Sequence, residues 1–394
     1  MIYLHVPFCG SFCTYCDFYS EICRSRQASN EYADAVIAEI RDRRKELEMN
    51  MSAQDAVNTL YIGGGTPSVL PLDVLSRIVG AVSQTERLSL VTEQLSLVTE
   101  PVEVTTPTEL FDEFTVEVNP EDIVEKGREY VRGLLALGVN RISMGIQSFN
   151  DDILRWMNRR HDAGNAVKAF HILRESGVRN ISIDLIFGIS QLTDETWKDT
   201  IEKALELSPE HISAYQLSIE EGSALAKMVA DGRYVEASEE QCRRQYDILC
   251  RCLGRSGYHH YEISNFAKPG FEAVHNSAYW RRAPYIGLGP GAHSLTGNVR
   301  SWNSQELPHR SPDGSSATYS RTSETLSPED IRVERIMLSL RTDKGLKATE
   351  LYSLTDSTVV DALLSEGALE RQGASIRIPE DHLFTSDEIV RELI

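Results

Sequence analysis

The sequence predicts an α/β fold: a partial parallel (β/α)6 barrel followed by a small, mostly helical C-terminal domain. Three observations lead there. Short β-rich runs alternate with helix-length segments along residues 2–219. That alternation implies parallel strands joined by right-handed crossovers. Six such units are present, against eight in a complete barrel of this type. Beyond residue 220 the rhythm stops and the composition changes.

In chain order, the β-rich runs are Ile2–Val6, Asn58–Ile62, Phe114–Val118, Arg141–Ile146, Ile181–Phe187 and His211–Ile219. Between them the sequence predicts helices over Ser29–Leu47, Leu72–Ser83, Gly127–Leu137, Ala163–Ser176 and Asp194–Leu207. Leu137-Gly138 and Ser176-Gly177 are helix stops, and Thr193 suits an N-cap. A tandem duplication interrupts the pattern, where Arg87–Glu93 (RLSLVTE) is followed by Gln94–Glu100 (QLSLVTE). Two β-branched heptads are too few for a coiled coil and read as an insertion in a connecting loop. Further on, Ala237–Ser256 reads as a helix and Tyr258–Trp302 as loop-rich and aromatic. Pro308–Ser327 has the Ser/Thr/Pro content of a linker. Pro328–Leu340 reads as a helix, Leu369–Pro379 as a hairpin and Ser386–Ile394 as a final helix. The expected domains are therefore residues 1–225 (barrel), 226–307 (barrel-associated extension), 308–327 (linker) and 328–394 (C-terminal domain).

Composition narrows the function. The chain has 394 residues, with 40 Lys+Arg against 59 Asp+Glu, a net charge of −19. This balance argues against a broad nucleic-acid surface, which needs a basic stripe. No apolar run approaches the ~18 residues of a membrane span. Met1–Phe8 has no basic n-region and is too short for a signal peptide. The expectation is a cytoplasmic protein. Seven cysteines, an odd number, do not suggest a disulfide framework, and four of them fall within the first 23 residues.

Cys9, Cys13 and Cys16 follow the first β-run with C-x3-C-x2-C spacing. Three thiolates on one loop can hold three corners of a cubane iron–sulfur cluster and leave the fourth iron open. Spacing alone also admits a zinc loop with His5 or Cys23 as fourth ligand, or unligated thiols. Gly63-Gly64-Gly65-Thr66-Pro67 follows the second run and lets backbone approach a ligand closely. Glu117 and Gln147 end the third and fourth runs, and Asp184 lies within the fifth. Carboxyl-terminal strand ends open onto one mouth of a parallel barrel, so a metal loop, a backbone cradle and several acceptors are expected to converge. By contrast, Cys242, Cys250 and Cys252 fall on a helix-like segment, where cysteine more often serves as a buried apolar side chain than as a ligand.

These residues resemble the radical S-adenosylmethionine (SAM) superfamily, through the cysteine spacing and GGGTP. His5-Val6-Pro7-Phe8-Cys9, EVNP (117–120), GIQS (145–148), Asn158-Arg159-Arg160-His161 and IDLIFG (183–188) narrow the likeness. They resemble the oxygen-independent coproporphyrinogen III oxidase family and, within it, the haem chaperone branch. The resemblance implies a [4Fe–4S] cluster on Cys9, Cys13 and Cys16, with SAM chelating the open iron. Reductive cleavage of SAM would then yield a 5′-deoxyadenosyl radical. It further implies that Tyr3, Gly64, Gly65, Thr66, Glu117, Gln147, Arg159 and Asp184 bind the cofactor. Arg159 is suited to the methionyl carboxylate, and Glu117 and Gln147 to ammonium or ribose hydroxyls.

Two departures from the oxidase pattern point to the chaperone branch. The oxidase carries a fourth cysteine two residues after the third, where this chain has Phe18, and it has an N-terminal extension before the first strand. His275-Asn276-Ser277-Ala278-Tyr279-Trp280 adds an HNxxYW motif whose histidine is expected to ligate haem iron beside aromatic rings. The expected function is that of a haem chaperone, which binds haem as cargo and passes it to an acceptor protein. An electron donor is implied, and a homodimer is compatible with the sequence. The alternative is oxidative decarboxylation of coproporphyrinogen III to protoporphyrinogen IX. No catalytic residue is assigned.

Overall fold

The computed structural model describes residues 1–53, 56–94, 111–306 and 319–394, without the side chains of 85–94. It divides into two compact units, the first made of residues 1–182, 218–234 and 284–324, and the second of 183–217, 235–283 and 325–394.

The first unit contains β1 (Ile2–Val6), β2 (Thr59–Gly64), β3 (Glu113–Val118) and β4 (Arg141–Gln147). All four are parallel neighbours in that order where their registers are defined: Leu4 faces Ile62, Leu60 faces Phe114 and Val116 faces Ile142. Leu4, Val6, Leu60, Ile62, Val116 and Ile142 are all buried, as expected of strands covered on both faces. Helices α1 (Arg26–Asp42), α2 (Arg44–Met51), α3 (Leu72–Gln94), α4 (Pro120–Ala136), α5 (Asp151–Trp156) and α6 (Ala163–Glu175) supply the crossovers and their flanking turns. Several starts are fixed by side-chain caps. Ser25, Asn119, Asn150 and Asp162 each accept an N–H from the first turn of α1, α4, α5 and α6.

The sequence places α3 at Leu72–Ser83, whereas the helix runs on to Gln94 because no glycine or proline stops it after Gly80. The first copy of the duplicated heptad therefore continues a helix rather than forming a loop, and residues 95–100 of the second copy lie outside the described residues.

The second unit contains β5 (Ile181–Phe187, from Ile183 onward), β6 (His211–Gln216), β7 (His259–Glu262) and β8 (Asn265–Ala267). β8 is antiparallel to both β6 and β7. Helices α7 (Asp194–Leu207), α9 (Glu239–Arg255) and α10 (Val274–Trp280) belong to it, while α8 (Ala224–Ala230) belongs to the first unit. Trp197 on α7 is fully buried and its indole N–H donates to the Gln245 carbonyl at 2.9 Å. Helix α11 (Pro328–Leu340) opens on a capping box between Ser327 and Asp330. The expected hairpin pairs Glu370–Gln372 with Ser375–Arg377, and the last helix covers Ser386–Leu393.

Two segments differ from the sequence reading. Tyr258–Trp302 is expected to be loop-rich, yet it holds β7, β8 and α10, and then β9 (Ile286–Leu288), β10 (His293–Thr296) and β11 (Val299–Asn303). β9 extends the first unit's sheet, parallel to β1, with Ile2 facing Ile286. Of the expected linker Pro308–Ser327, residues 308–318 lie outside the described residues, and Arg321–Thr325 forms β12 beside β11.

One buried charge network organises the β9 side. Arg43 and Glu39 are 5% and 3% exposed, with Arg43 Nη1 at 2.9 Å from Glu39 Oε1. The same guanidinium donates to the Gly287 carbonyl at 2.6 Å and to Ser294 Oγ at 3.0 Å. Glu39 in turn accepts the Gly289 N–H and the Asn303 side-chain amide, each at 2.8 Å. Both charges are thus saturated with hydrogen bonds, as a dry interior requires. No helix among the described residues is long and apolar enough to cross a membrane.

Candidate functional site

The loop carrying the three cysteines leaves the carboxyl end of β1 and is held by backbone bonds. The Gly65 N–H donates to the Val6 carbonyl at 2.8 Å, and the Thr66 N–H to the Phe8 carbonyl at 2.6 Å. The glycine turn after β2 therefore lies directly on the start of the cysteine loop. A Cβ on Gly65 would stand 2.7 Å from the Phe8 carbonyl oxygen, 2.9 Å from that of Val6 and 3.1 Å from Cys9 Sγ. Only glycine permits this approach. Thr66 Oγ1 reaches Cys9 Sγ at 3.5 Å.

The Asn-Arg-Arg-His motif after α5 grips the loop from its other side. Asn158 Nδ2 donates to the Phe12 carbonyl at 2.7 Å. Arg159 Nη1 contacts Cys13 Sγ at 3.3 Å, while its Nη2 donates to the Gly145 carbonyl at 2.6 Å. Arg160 pairs with Asp122 at 2.7 Å, and its guanidinium packs where Gly10 has no Cβ. His161 Nε2 lies 3.0 Å from the Ile146 carbonyl, and burial, with Arg159 nearby, pushes its pKa down to about 3. His161 is therefore neutral, donating from Nε2 to that carbonyl. Thr14 completes the stitching, its N–H to the Met157 carbonyl and its hydroxyl to the Trp156 carbonyl.

The strand-end acceptors lie along the same edge. Glu117 accepts the Tyr61 hydroxyl at 2.7 Å and the Gly64 N–H at 3.1 Å. Gln147 closes β4 at a φ of 69°, an uncommon conformation outside glycine. A Cβ on Gly145 would meet Gln147 Nε2 at 2.9 Å and Arg159 Nη2 at 3.5 Å, so Gly145 makes room for both. Tyr3 hydrogen-bonds His5 Nδ1 at 3.1 Å, and the His5 ring fills the space above Gly64.

The first unit thus brings together Tyr3, Cys9, Cys13, Cys16, Gly64, Gly65, Thr66, Glu117, Gln147 and Arg159. Asp184, midway along β5, and His275, on α10, belong to the second unit. His275 is buried, with Nε2 at 3.2 Å from the Tyr279 hydroxyl one helical turn on. Sequence reasoning missed Tyr61, which orients Glu117, and Tyr15, which stands against Cys13 and Arg159. Tyr61 reads as one more strand residue, although its place two residues before Gly63 was a usable signal.

The chemistry of the donor set fits an iron–sulfur group. All seven cysteines are free thiols. Burial raises the Cys9 pKa and pushes Cys16 up to about 11, so a thiolate set here needs a bound cation to offset its charge. Arg159 supplies one positive charge, and its Nε is buried without a hydrogen-bond partner, a donor held in reserve. His5 spends both ring nitrogens on Tyr3 and on the Tyr19 carbonyl, and Cys23 Sγ lies 3.4 Å from Ser29 Oγ. Neither is poised as the fourth zinc ligand that the spacing admits.

Comparison with known proteins agrees with this geometry. The model of the radical SAM superfamily matches residues 3–204. The heme chaperone HemW of Lactococcus lactis is 33% identical over 345 residues, covering 87% of this chain and 82% of the relative. That of Bacillus subtilis is also 33% identical, covering 87% and 84%. A mitochondrial radical SAM domain-containing protein 1 of Danio rerio is 29% identical, covering 97% and 76%. Among solved structures, the coproporphyrinogen III oxidase HemN of Escherichia coli, a radical SAM enzyme, superposes with a TM-score of 0.75 at 21% identity, covering 99% of this chain and 89% of that one. This likeness establishes the fold, a partial (β/α)6 radical SAM barrel with a small C-terminal region, as the sequence predicts. On the cysteine loop, the glycine turn and these relatives together, the chain belongs to the radical SAM superfamily, in the HemW branch of its coproporphyrinogen oxidase-like family.

Proposed function

We propose that this chain binds haem and passes it to an acceptor protein, with a [4Fe–4S] cluster on Cys9, Cys13 and Cys16 and SAM beside it. The observation that carries this reading is the similarity to curated heme chaperones along 82–84% of their own length. The radical SAM family works with a [4Fe–4S] cluster and SAM, which together supply one-electron chemistry at the sulfonium.

The chain's own residues have complementary tasks. Cys9, Cys13 and Cys16 would hold the cluster and leave it one open position for SAM. Backbone at Gly64–Thr66 receives the amino group. Arg159 pairs with the carboxylate through a charge-assisted bond, while its contact with Cys13 tempers the thiolate charge. Glu117, oriented by Tyr61, and Gln147 accept from ammonium or ribose hydroxyls, with Tyr3 completing the set in the first unit. Phe18, 65% exposed, stands where the oxidase pattern has a cysteine, which favours the chaperone reading over decarboxylation. His275 is the proposed iron ligand, and ligation through Nε2 requires release of the Tyr279 hydroxyl.

The test uses the full chain, reconstituted without oxygen, in a haem titration and a porphyrin-product assay. A single haem per chain and no protoporphyrinogen are expected, whereas sustained decarboxylation of coproporphyrinogen overturns the assignment. Replacing Cys9, Cys13 and Cys16 together with Ala removes iron and sulfide if they are the ligands. His275→Ala weakens the titration. An unchanged titration in His275→Ala removes that residue from the haem site.

A further inference from the structure

A second group of metal-ligating side chains lies within the second unit, on elements that the SAM chemistry does not use. Cys250 is on α9, His260 on β7, and Glu380 opens a short 3-10 turn over Glu380–Thr385. One ligand atom from each lies within 4.8 Å of the other two. In sequence they are ten and 120 residues apart, so the fold alone assembles them.

The imidazole is oriented before any ligand arrives. Its ring stacks on Phe266 with centroids 4.0 Å apart and planes 15° apart. Nδ1 points to Glu380 Oε1 at 3.1 Å, while Nε2 lies 3.4 Å from the Ile263 carbonyl. Tyr246, one turn before Cys250 on α9, donates its hydroxyl to the same carbonyl at 3.0 Å and also stands against the Cys250 thiol. With its proton on Nδ1 the imidazole donates to Glu380 directly, and Nε2 then faces the Tyr246 hydroxyl at 3.4 Å. With its proton on Nε2, toward the Ile263 carbonyl, it turns the Nδ1 lone pair to the carboxylate, and a cation can take the place of the bridging proton. Histidine ligands of metals are held in this way, the far N–H donating to a backbone carbonyl.

We infer that Cys250, His260 and Glu380 form a site for a divalent transition cation of the zinc type, with water as fourth ligand. Sulfur, imidazole nitrogen and carboxylate oxygen are the three donor classes of protein zinc sites. Zinc–ligand bonds of about 2.0–2.3 Å place tetrahedral donors roughly 3.3–3.8 Å apart, a spacing that the His260–Glu380 pair at 3.1 Å already approximates, so the closure of up to about 1 Å falls on the edges to the Cys250 thiol. Glu380, whose side chain is 60% exposed, can adjust to the ion, whereas His260 is 4% exposed and fixed. The bound ion would tie α9 and β7 to the 3-10 turn that precedes the last helix. Cys242, on the same helix, is buried, and Cys252 is half-buried and outside the cluster.

The test measures zinc on the cluster-loaded full chain after equilibration with zinc chloride and gel filtration. One zinc per chain beyond the cluster iron is expected. Cys250→Ser and His260→Ala should each weaken zinc binding by more than the roughly 10–100-fold typical of losing an outer-shell partner. Cys252→Ser serves as the matched control, with zinc content unchanged. A second measurement needs no substitution: zinc should slow iodoacetamide alkylation of Cys250 at least about tenfold, read by peptide mass spectrometry, and leave Cys252 unaffected. Absence of zinc uptake by the unsubstituted chain overturns the site, as does uptake unchanged in both variants or alkylation indifferent to zinc. A proton alone then bridges His260 and Glu380.

Discussion

Glu262 offers a quantitative test of the packing, through substitution by glutamine. Its side chain is fully buried in β7, where it accepts the Ser264 N–H at 3.2 Å and the Asn265 side-chain amide. Burial outweighs both bonds and pushes its pKa from 4.5 up to about 7. Between these values the unfolded chain has lost a proton that the folded chain retains. The unfolded state then binds fewer protons, so stability falls as pH rises from about 4.5 to about 7 and levels off above. That interval, at 1.36 kcal/mol per pH unit, amounts to roughly 3 kcal/mol. Glutamine has the same shape and does not titrate. Asn265 Oδ1, buried without a partner, can accept the new amide once the Asn265 side chain flips. The difference in stability, Glu262→Gln minus the unsubstituted chain, should therefore grow by roughly 3 kcal/mol between pH 4.5 and pH 8. Denaturant unfolding without oxygen, followed by tryptophan fluorescence (Trp197 lies in the same unit), measures it. Other titrating groups cancel in the difference. A difference that stays constant across this range, or a variant that loses ground at pH 8, refutes the reasoning.

Three further substitutions test the first unit. Gly65→Ala drives a Cβ into the Phe8 and Val6 carbonyl oxygens, which cannot yield, so iron and sulfide uptake on reconstitution should fall by more than half. Arg159→Met should weaken SAM binding about 10–100-fold, the worth of a charge-assisted hydrogen bond, with iron content retained. Equilibrium binding to the reconstituted chain measures this, and unaltered affinity would take Arg159 out of the cofactor site. Arg43→Met leaves the Glu39 carboxylate buried without its cation and should cost about 3–5 kcal/mol in denaturant unfolding. Adding Glu39→Gln should recover much of that loss, since the stranded charge is then gone.

How much of this was legible in the sequence depended on whether a feature was local. Ile2–Val6 and Ile181–Phe187 were predicted with the bounds they have, because Pro7 ends the first run and the second is an apolar run that follows the Ser176-Gly177 helix stop. The cysteine loop, the glycine turn and Arg159 were legible as motifs, and the fold brings them within contact of one another. β9 was hidden because three residues running into Gly289-Pro290-Gly291 carry no period, and only pairing with β1 makes Ile286–Leu288 a strand. Arg43 falls within the predicted helix Ser29–Leu47, whose pattern does not reveal that the carbonyl of Gly287 and the carboxylate of Glu39 draw it inside. These two misses have one cause. The Arg43–Glu39 pair binds backbone at Gly287 and Gly289, and Gly289, at a φ of 88°, approaches the His5 carbonyl where a Cβ would lie 2.5 Å away. His5 is the residue whose ring covers Gly64 at the glycine turn. A charge pair on the outer helices and a glycine-rich segment nearly 290 residues into the chain therefore fix the height of the strand from which the cysteine loop departs. Local pattern reveals which residues can carry the chemistry, whereas the long-range packing that sets their positions follows only from the assembled sheet.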